Sequence, residues 1–176
     1  WKKGRIPKLA ATVNKMLCIF PFEPAVYQGS GLDAEFVGHP LLKTLQEFRL
    51  PEDKREKDTI LLLPGSRSAE LKRLLPLLFE TAEMLHKQKP ELKFEISLAN
   101  EKSLKLAETL LSNYKNKQAL PEMNFSFGKT RELMGKATAG IAASGTVTME
   151  ATVLDLPLVV IYKVNWIRWL IGKILV

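Results

Sequence analysis

The sequence predicts an α/β fold, a parallel sheet flanked by helices, on three observations. Apolar runs of strand length alternate with helical stretches along most of the chain, the pattern of βαβ units. The run at residues 59–63, Thr59-Ile60-Leu61-Leu62-Leu63, reads as a strand with no polar face, as the centre of a sheet buried on both sides requires. Two strand ends pass into helices through a glycine, Gly65 and Gly145, at the carboxyl ends where open α/β sheets bind ligands. With 46% hydrophobic and 26% charged residues, the 176-residue chain can build a core and is not disordered. Its length suits one domain, or one domain and a piece of another. It begins at Trp1 and stops in the apolar run Ile174-Leu175-Val176, so it reads as an excerpt of a longer protein.

The elements follow in order from local chemistry. Residues 1–13 read as a basic helix, with Pro7 near its first turn or at a kink. Residues 15–20 form a strand stopped by Pro21, and residues 23–28 a short helix with Pro24 in its first turn, ended by Gly29 and Gly31. A brief strand at 35–37 leads into Gly38-His39-Pro40, and residues 43–50 form one short helix. Pro51 to Asp58 reads PEDKREKD, with seven charged residues in eight; no core accepts it, so it is a surface loop or linker and the expected domain boundary. After the strand at 59–63, the turn Pro64-Gly65-Ser66-Arg67 opens a helix to about residue 87, in which Pro76 starts a new turn or makes a kink. Further strands are expected at 93–98, 124–127, 139–142 and 157–162, and helices at 103–114, 130–136 and 146–154.

The 26 Lys and Arg against 19 Asp and Glu give a net charge of +7, unevenly placed. Residues 1–22 carry Lys2, Lys3, Arg5, Lys8 and Lys15 and no acid; residues 156–176 carry Lys163, Arg168 and Lys173 and no acid. Between them remain 18 basic and 19 acidic residues. A nucleic-acid binder spreads its charge over a face of the domain, so no nucleic acid is expected as partner. Basic ends, one mixed with Trp166, Ile167, Trp169 and Leu170, suit an anionic membrane surface; helices whose charges simply face water account for them equally. Lys15 and the lack of a small-residue cleavage site argue against a presequence. The apolar stretch from Leu156 is divided by Lys163, Asn165, Arg168 and Lys173 and falls short of the roughly 20 residues of a span, so an interfacial helix is expected. A single cysteine, Cys18, excludes an internal disulfide framework and a cysteine-cluster zinc site, and reads as a small core residue.

Two turns carry the candidate chemistry. In Leu63-Pro64-Gly65-Ser66-Arg67-Ser68-Ala69-Glu70, Gly65 lets backbone approach a ligand, the helix start offers free N–H groups, and Arg67 adds a fixed charge for a phosphate. It is neither a Walker loop nor a dinucleotide fingerprint. The plain alternative is a tight βα turn with Arg67 paired to Glu70. In Ala143-Ser144-Gly145-Thr146-Val147-Thr148-Met149-Glu150, two hydroxyls flank a glycine at a helix start, and Glu150 follows one turn later on the same face. A carboxylate there suits a ribose diol below a diphosphate, whereas an ordinary N-cap with Glu150 favouring the helix dipole is the alternative. His39 and His86 have no metal-spaced neighbours, so no metal and no cofactor are expected. His39 fits a turn or a cleft lining; Phe127-Gly128 ends a strand whose backbone suits a base edge, while core packing is the plainer reading of Phe127.

Five motifs in order resemble the lipid-A-disaccharide synthase family: Trp1-Lys2-Lys3-Gly4-Arg5, Phe20-Pro21-Phe22-Glu23, Phe36-Val37-Gly38-His39-Pro40-Leu41, the Gly65 turn to Glu70, and Ser144 to Glu150. The resemblance implies an inverting glycosyltransferase of the glycosyltransferase-B fold, two Rossmann-like domains facing a cleft. Its substrates are UDP-2,3-diacylglucosamine and 2,3-diacylglucosamine 1-phosphate, and its products the β-1,6-linked lipid A disaccharide and UDP. It implies that residues 1–42 end the amino-terminal, acceptor-side domain, that 43–57 link, that 58–163 form a truncated UDP-sugar domain, and that 164–176 form a basic apolar crossing helix touching the membrane. It places the general-base Asp and the acceptor pocket before Trp1, and an Asn-bearing loop after Val176. The sugar-nucleotide site falls to Gly65, Ser66, Arg67, Ser144, Gly145, Thr146 and Glu150, with Arg67 stabilising the leaving group. The setting implied is the cytoplasmic face of a Gram-negative inner membrane, with a homodimer left open. Other UDP-GlcNAc enzymes of this architecture, a soluble glycosyltransferase or a 2-epimerase, and a non-catalytic UDP-binding membrane module are the competing readings.

Overall fold

The computed structural model describes residues 3–163. The crossing helix expected at 164–176 lies outside the described residues, as do Trp1 and Lys2 of the first motif. The chain divides into two compact units, the first ending at Glu47 and the second beginning at Phe48.

In the first unit a 3-10 turn, Lys3–Arg5, runs into α1, Ile6–Thr12, with Pro7 in its first turn and no buried residue. Strand β1, Lys15–Cys18, crosses through α2, Glu23–Val26, to the parallel strand β2, Asp33–Phe36; α3, Leu41–Gln46, follows. β1 ends two residues before Phe20 because the Glu23 carboxylate takes the next two backbone donors: its Oε2 accepts from the N–H groups of Ile19 and Phe20, each at 2.8 Å. β2 begins earlier than its apolar residues suggest because Lys15 bridges the ladder, reaching Asp33 at 3.3 Å and Glu35 at 2.6 Å. Lys15 therefore spends its charge inside the unit. Cys18 is buried as expected, and burial pushes its thiol pKa up.

The second unit is a five-stranded parallel sheet in the order β5-β4-β3-β6-β7. The strands are β3, Thr59–Leu63; β4, Lys93–Leu98; β5, Met123–Phe127; β6, Ala139–Ala143; and β7, Leu158–Ile161. Between them run α4, Ser68–Gln88; α5, Glu101–Ser112; α6, Thr130–Lys136; and α7, Thr146–Val153. A 3-10 turn at Lys117–Ala119 precedes β5 and was not expected. Leu61 and Leu62 of the central strand are fully buried. Against the sheet, α4 lays Leu71, Leu75, Leu78, Phe79 and Ala82 on Leu62, Phe94, Ile96 and Leu98.

That stripe also explains why α4 runs unbroken through Pro76. Buried residues of α4 recur at 71, 74, 75, 78, 79 and 82, the spacing of one helix face, while Pro76 and Lys72 are exposed. The carbonyl that loses its partner to the proline ring belongs to Lys72, on the exposed face of the helix rather than in the core.

The charged stretch is exposed yet strapped to the second unit. The guanidinium of Arg55 donates to the carbonyls of Ala137 at 3.0 Å and Leu154 at 2.6 Å, the residues that cap the carboxyl ends of α6 and α7. A cation is favourable at the negative end of a helix dipole, and here one cation serves two helices. Around it the Glu56 N–H donates to Lys136 O at 2.8 Å, and Arg49 Nε to Asp155 at 2.6 Å. Residues 43–57, expected as a linker, thus divide between α3 and this strap.

The topology fixes where a ligand goes. From β3 the chain moves outward through β4 to β5, then returns to the other side of β3 as β6 and moves outward again to β7. The turns leaving β3 and β6 diverge from neighbouring strand ends, which opens a crevice at the carboxyl edge of the sheet. These are the Gly65 and Gly145 turns.

Candidate functional site

Around Gly65 the turn has no room for a side chain. Its φ is +98°, outside the range that other residues adopt readily, and a Cβ there would lie 2.6 Å from Glu70 Oε2. Glu70, in the first turn of α4, fastens the loop at two points: Oε2 accepts from the Arg67 N–H at 3.3 Å, and Oε1 from Arg67 Nη1 at 3.0 Å. The ordinary Arg67–Glu70 pairing is therefore present in the structure. It does not withdraw Arg67 from a ligand, because the guanidinium side chain is 82% exposed and such a surface pair is weak.

On the neighbouring strand, the Ser144 N–H donates to Ile161 O at 3.1 Å, which keeps the backbone in the sheet as far as the turn. Gly145 then opens α7 with no side-chain cap. The first N–H groups of a helix have no intrahelical acceptor, so those of α7 remain available to an anion. The Thr148 hydroxyl is not a substitute, since it donates to Gly145 O at 2.7 Å and so points back at the loop. Ser144, Gly145 and Thr146 are all exposed.

The two turns line one cleft of about 380 Å³, with Gly65, Ser66, Arg67 and Glu70 on one side and Ser144, Gly145 and Thr146 on the other. Six of the seven site residues expected from the sequence thus lie together. The seventh, Glu150, does not line this cleft; it sits one turn beyond Thr146, with its side chain 17% exposed and Oε1 accepting from Arg131 Nη2 at 3.0 Å. Arg131 was not anticipated, nor were Ser97 and Thr130, which line the cleft and share a hydrogen bond of 2.8 Å. Ser97 had a signal: it is a small polar residue in the apolar strand Phe94-Glu95-Ile96-Ser97-Leu98, and it is buried. Thr130 and Arg131 follow Gly128-Lys129 at a third strand-to-helix turn, where a lysine separates the glycine from the hydroxyl that adjoins it in the other two.

Other conspicuous residues are engaged elsewhere. Phe127, expected in the core, is 45% exposed on the outermost strand β5. His39 Nδ1 accepts the Leu41 N–H at 3.2 Å, so it serves its own turn. A larger hollow of about 1270 Å³ opens by the amino ends of the strands, lined by Arg49, Arg55, Asp58, Thr138 and Asp155 among others. Several of its charges are engaged: Arg49 pairs with Asp155, Asp58 with Lys89, and Arg55 with backbone carbonyls. It lies at the opposite end from the strand ends where parallel sheets bind ligands. Among the described residues no group of three His, Cys, Asp or Glu is gathered as a metal site would need. None of their helices is long and apolar enough to cross a membrane.

The cleft therefore offers backbone donors from two turns, hydroxyls, and one exposed guanidinium, an arrangement for a phosphate-bearing ligand. Comparison with known proteins gives the following relatives. The lipid-A-disaccharide synthase of Anaeromyxobacter dehalogenans (strain 2CP-C) is 37% identical over 185 residues, covering 100% of this chain and 46% of the relative. That of Syntrophus aciditrophicus (strain SB) is 37% identical over 186 residues, covering 100% and 47%. The chain spans about half the length of these curated relatives. Among solved structures, TarM aligns over 90% of this chain and 31% of its own, at 16% identity and a TM-score of 0.49. The family model described as lipid-A-disaccharide synthetase matches residues 1–176, the whole sequence, and the chain belongs to that family.

Proposed function

We propose that the complete protein transfers 2,3-diacylglucosamine from its UDP derivative to 2,3-diacylglucosamine 1-phosphate, forming the β-1,6-linked lipid A disaccharide and releasing UDP. One observation carries this reading beyond family membership: the two glycine turns come from adjacent strands at the point where the strand order reverses, and they share a cleft rich in donors to an anion. In this reading the second unit is most of a UDP-sugar domain, and the first is the end of the acceptor-side domain of a glycosyltransferase-B enzyme.

The chemistry asks two things of such a site. The acceptor 6-hydroxyl attacks the anomeric carbon from the face opposite UDP, which needs a base to take its proton; the bond from that carbon to the β-phosphate oxygen breaks, which needs stabilisation of the departing charge. Arg67, the backbone donors of Gly145 and Thr146, and the hydroxyls of Ser144 and Thr146 serve the second need. The base belongs to the part of the enzyme that this chain does not span. Glu150 is assigned to the ribose diol: Arg131 engages one of its oxygens, and among the described residues the other has no donor.

In the complete enzyme, Arg67→Ala should lower turnover by about ten- to a hundredfold, the value of one charge-assisted hydrogen bond. Undiminished turnover removes Arg67 from the mechanism. A peripheral contact with an anionic, cytoplasm-facing membrane of a Gram-negative cell is part of the same proposal and draws on α1, which buries no residue and carries an exposed Lys8. Sedimentation with anionic vesicles tests it, and absence of binding would favour a soluble UDP-GlcNAc enzyme instead.

A further inference from the structure

One feature of the cleft runs against its chemistry: a carboxylate, Glu70, lines a site whose other polar groups are hydroxyls, backbone donors and the Arg67 guanidinium. Its two oxygens occupy two of the donors a phosphate would use, the Arg67 N–H at 3.3 Å and Arg67 Nη1 at 3.0 Å. It also stands over Gly65, with Oε2 at 2.6 Å from the position of an added Cβ. Glu70 therefore resembles an internal anion seated where the ligand's anion is expected.

We propose that Glu70 is a positioning residue that competes with the diphosphate for Arg67, and that it thereby sets how tightly UDP is retained. The proposal rests on the reading of this cleft as the UDP site. In the empty cleft, Glu70 holds the Arg67 side chain at the turn, so less side-chain freedom is lost when the ligand arrives. The pair is exposed, with 82% of the arginine side chain and 34% of the glutamate side chain accessible, so exchanging Glu70 for the ligand's diphosphate costs little. After transfer the same exchange runs in reverse: the carboxylate recaptures Arg67 and lowers the hold on the product UDP. No bond is made or broken in this exchange; only the partner of one guanidinium changes.

Glu70→Gln tests this, because the amide oxygen can still accept the Arg67 N–H and preserve the turn while the competing charge is gone. Binding of UDP and of uridine is measured by titration calorimetry on the complete enzyme, at low and high salt. The expected result is that Glu70→Gln binds UDP about three- to tenfold more tightly at low salt, with the gain shrinking as salt screens it, and binds uridine as the parent does. The gain should vanish when Arg67→Ala is combined with Glu70→Gln. Unchanged or weaker UDP binding in Glu70→Gln, or a gain that persists undiminished without Arg67, overturns the competition while leaving the site in place. If neither Arg67→Ala nor Thr146→Ala alters UDP binding in the parent, the cleft is not the UDP site, and both readings fail together.

Discussion

Gly65→Ala is a single methyl placed where the structure leaves neither backbone freedom nor space. At φ +98° an alanine is strained by about 1–3 kcal/mol, the cost of holding a non-glycine residue in a sparsely populated region. The new Cβ would meet Glu70 Oε2 at 2.6 Å and its carboxyl carbon at 3.4 Å, so the carboxylate has to move. As the end of a flexible side chain it can do so, but it then gives up the Arg67 N–H, a loss of about 1 kcal/mol. The combined cost is about 2–4 kcal/mol, borne either as lost stability or as a turn that relaxes out of its bound shape. Two assays in the complete enzyme separate these outcomes: the urea unfolding midpoint, and UDP affinity. We expect one or both to fall, with UDP binding weakened at least tenfold if the turn relaxes. Gly29→Ala is the control, since Gly29 has a φ of +76° but nothing within 4 Å of an added Cβ. It should cost backbone strain alone and leave UDP affinity unchanged. A Gly65→Ala enzyme with parental stability and parental UDP affinity would refute the account of this turn.

Four further outcomes are expected. Glu150→Ala should reduce the preference for UDP over its 2′,3′-dideoxy analogue about tenfold, while Arg131→Met should reduce it less, both read by titration; an unchanged preference removes Glu150 from the ribose. Arg55→Ala strips the carboxyl ends of α6 and α7 of their shared donor and should cost about 1–3 kcal/mol in urea unfolding, with faster amide exchange confined to those helix ends. Gly135→Ala should be severely destabilising, because a methyl on buried Gly135 runs into the backbone carbonyl of Phe48, which cannot swing aside as a side chain does; a parental unfolding midpoint contradicts this packing. The hydrogen bond from Lys87 holds the Glu83 carboxyl below the usual glutamate range, with Tyr114 adding a weaker donor at 3.4 Å. A carboxyl with a lowered folded pKa contributes stability above its unfolded value of about 4.3 and loses it as pH falls through the folded value. Glu83→Gln should therefore lose less stability than the parent between pH 5 and about pH 3.

The sequence made the second unit's elements legible where one physical signal dominated. Apolar runs located all five strands of that sheet to within a residue or two, and β3, β4 and α6 at their observed bounds. Boundaries drifted where polar partners override propensity, as when Glu23 ends β1 and Lys15 draws Asp33 into β2. Pro76 shows a second limit. Its effect depends on whether Lys72 faces solvent, which only the packed helix decides. For the candidate site, glycines and hydroxyls marked both turns, but that β6 lies beside β3 is a property of strand order, not of either segment. Glu70 was visible only as the partner of Arg67. Its place over Gly65 follows from a backbone angle that no residue type declares.

The β3–β6 ladder also has a consequence for how the cleft comes into being. Everything from α4 to α6 intervenes between the two turns, so their meeting is a contact of high sequence separation, slow to form because a long loop must close first. No fragment confined to either turn can present the cleft. A ligand spanning both turns acts as a tie across the central ladder, so its binding should resist the unfolding of the whole sheet rather than the fraying of one loop. Ligand-dependent protection from amide exchange should then be as strong in β3 and β6 as at the turns themselves. A cut in the exposed connection around Lys117–Ala119 should leave two pieces that bind UDP only when they reassociate.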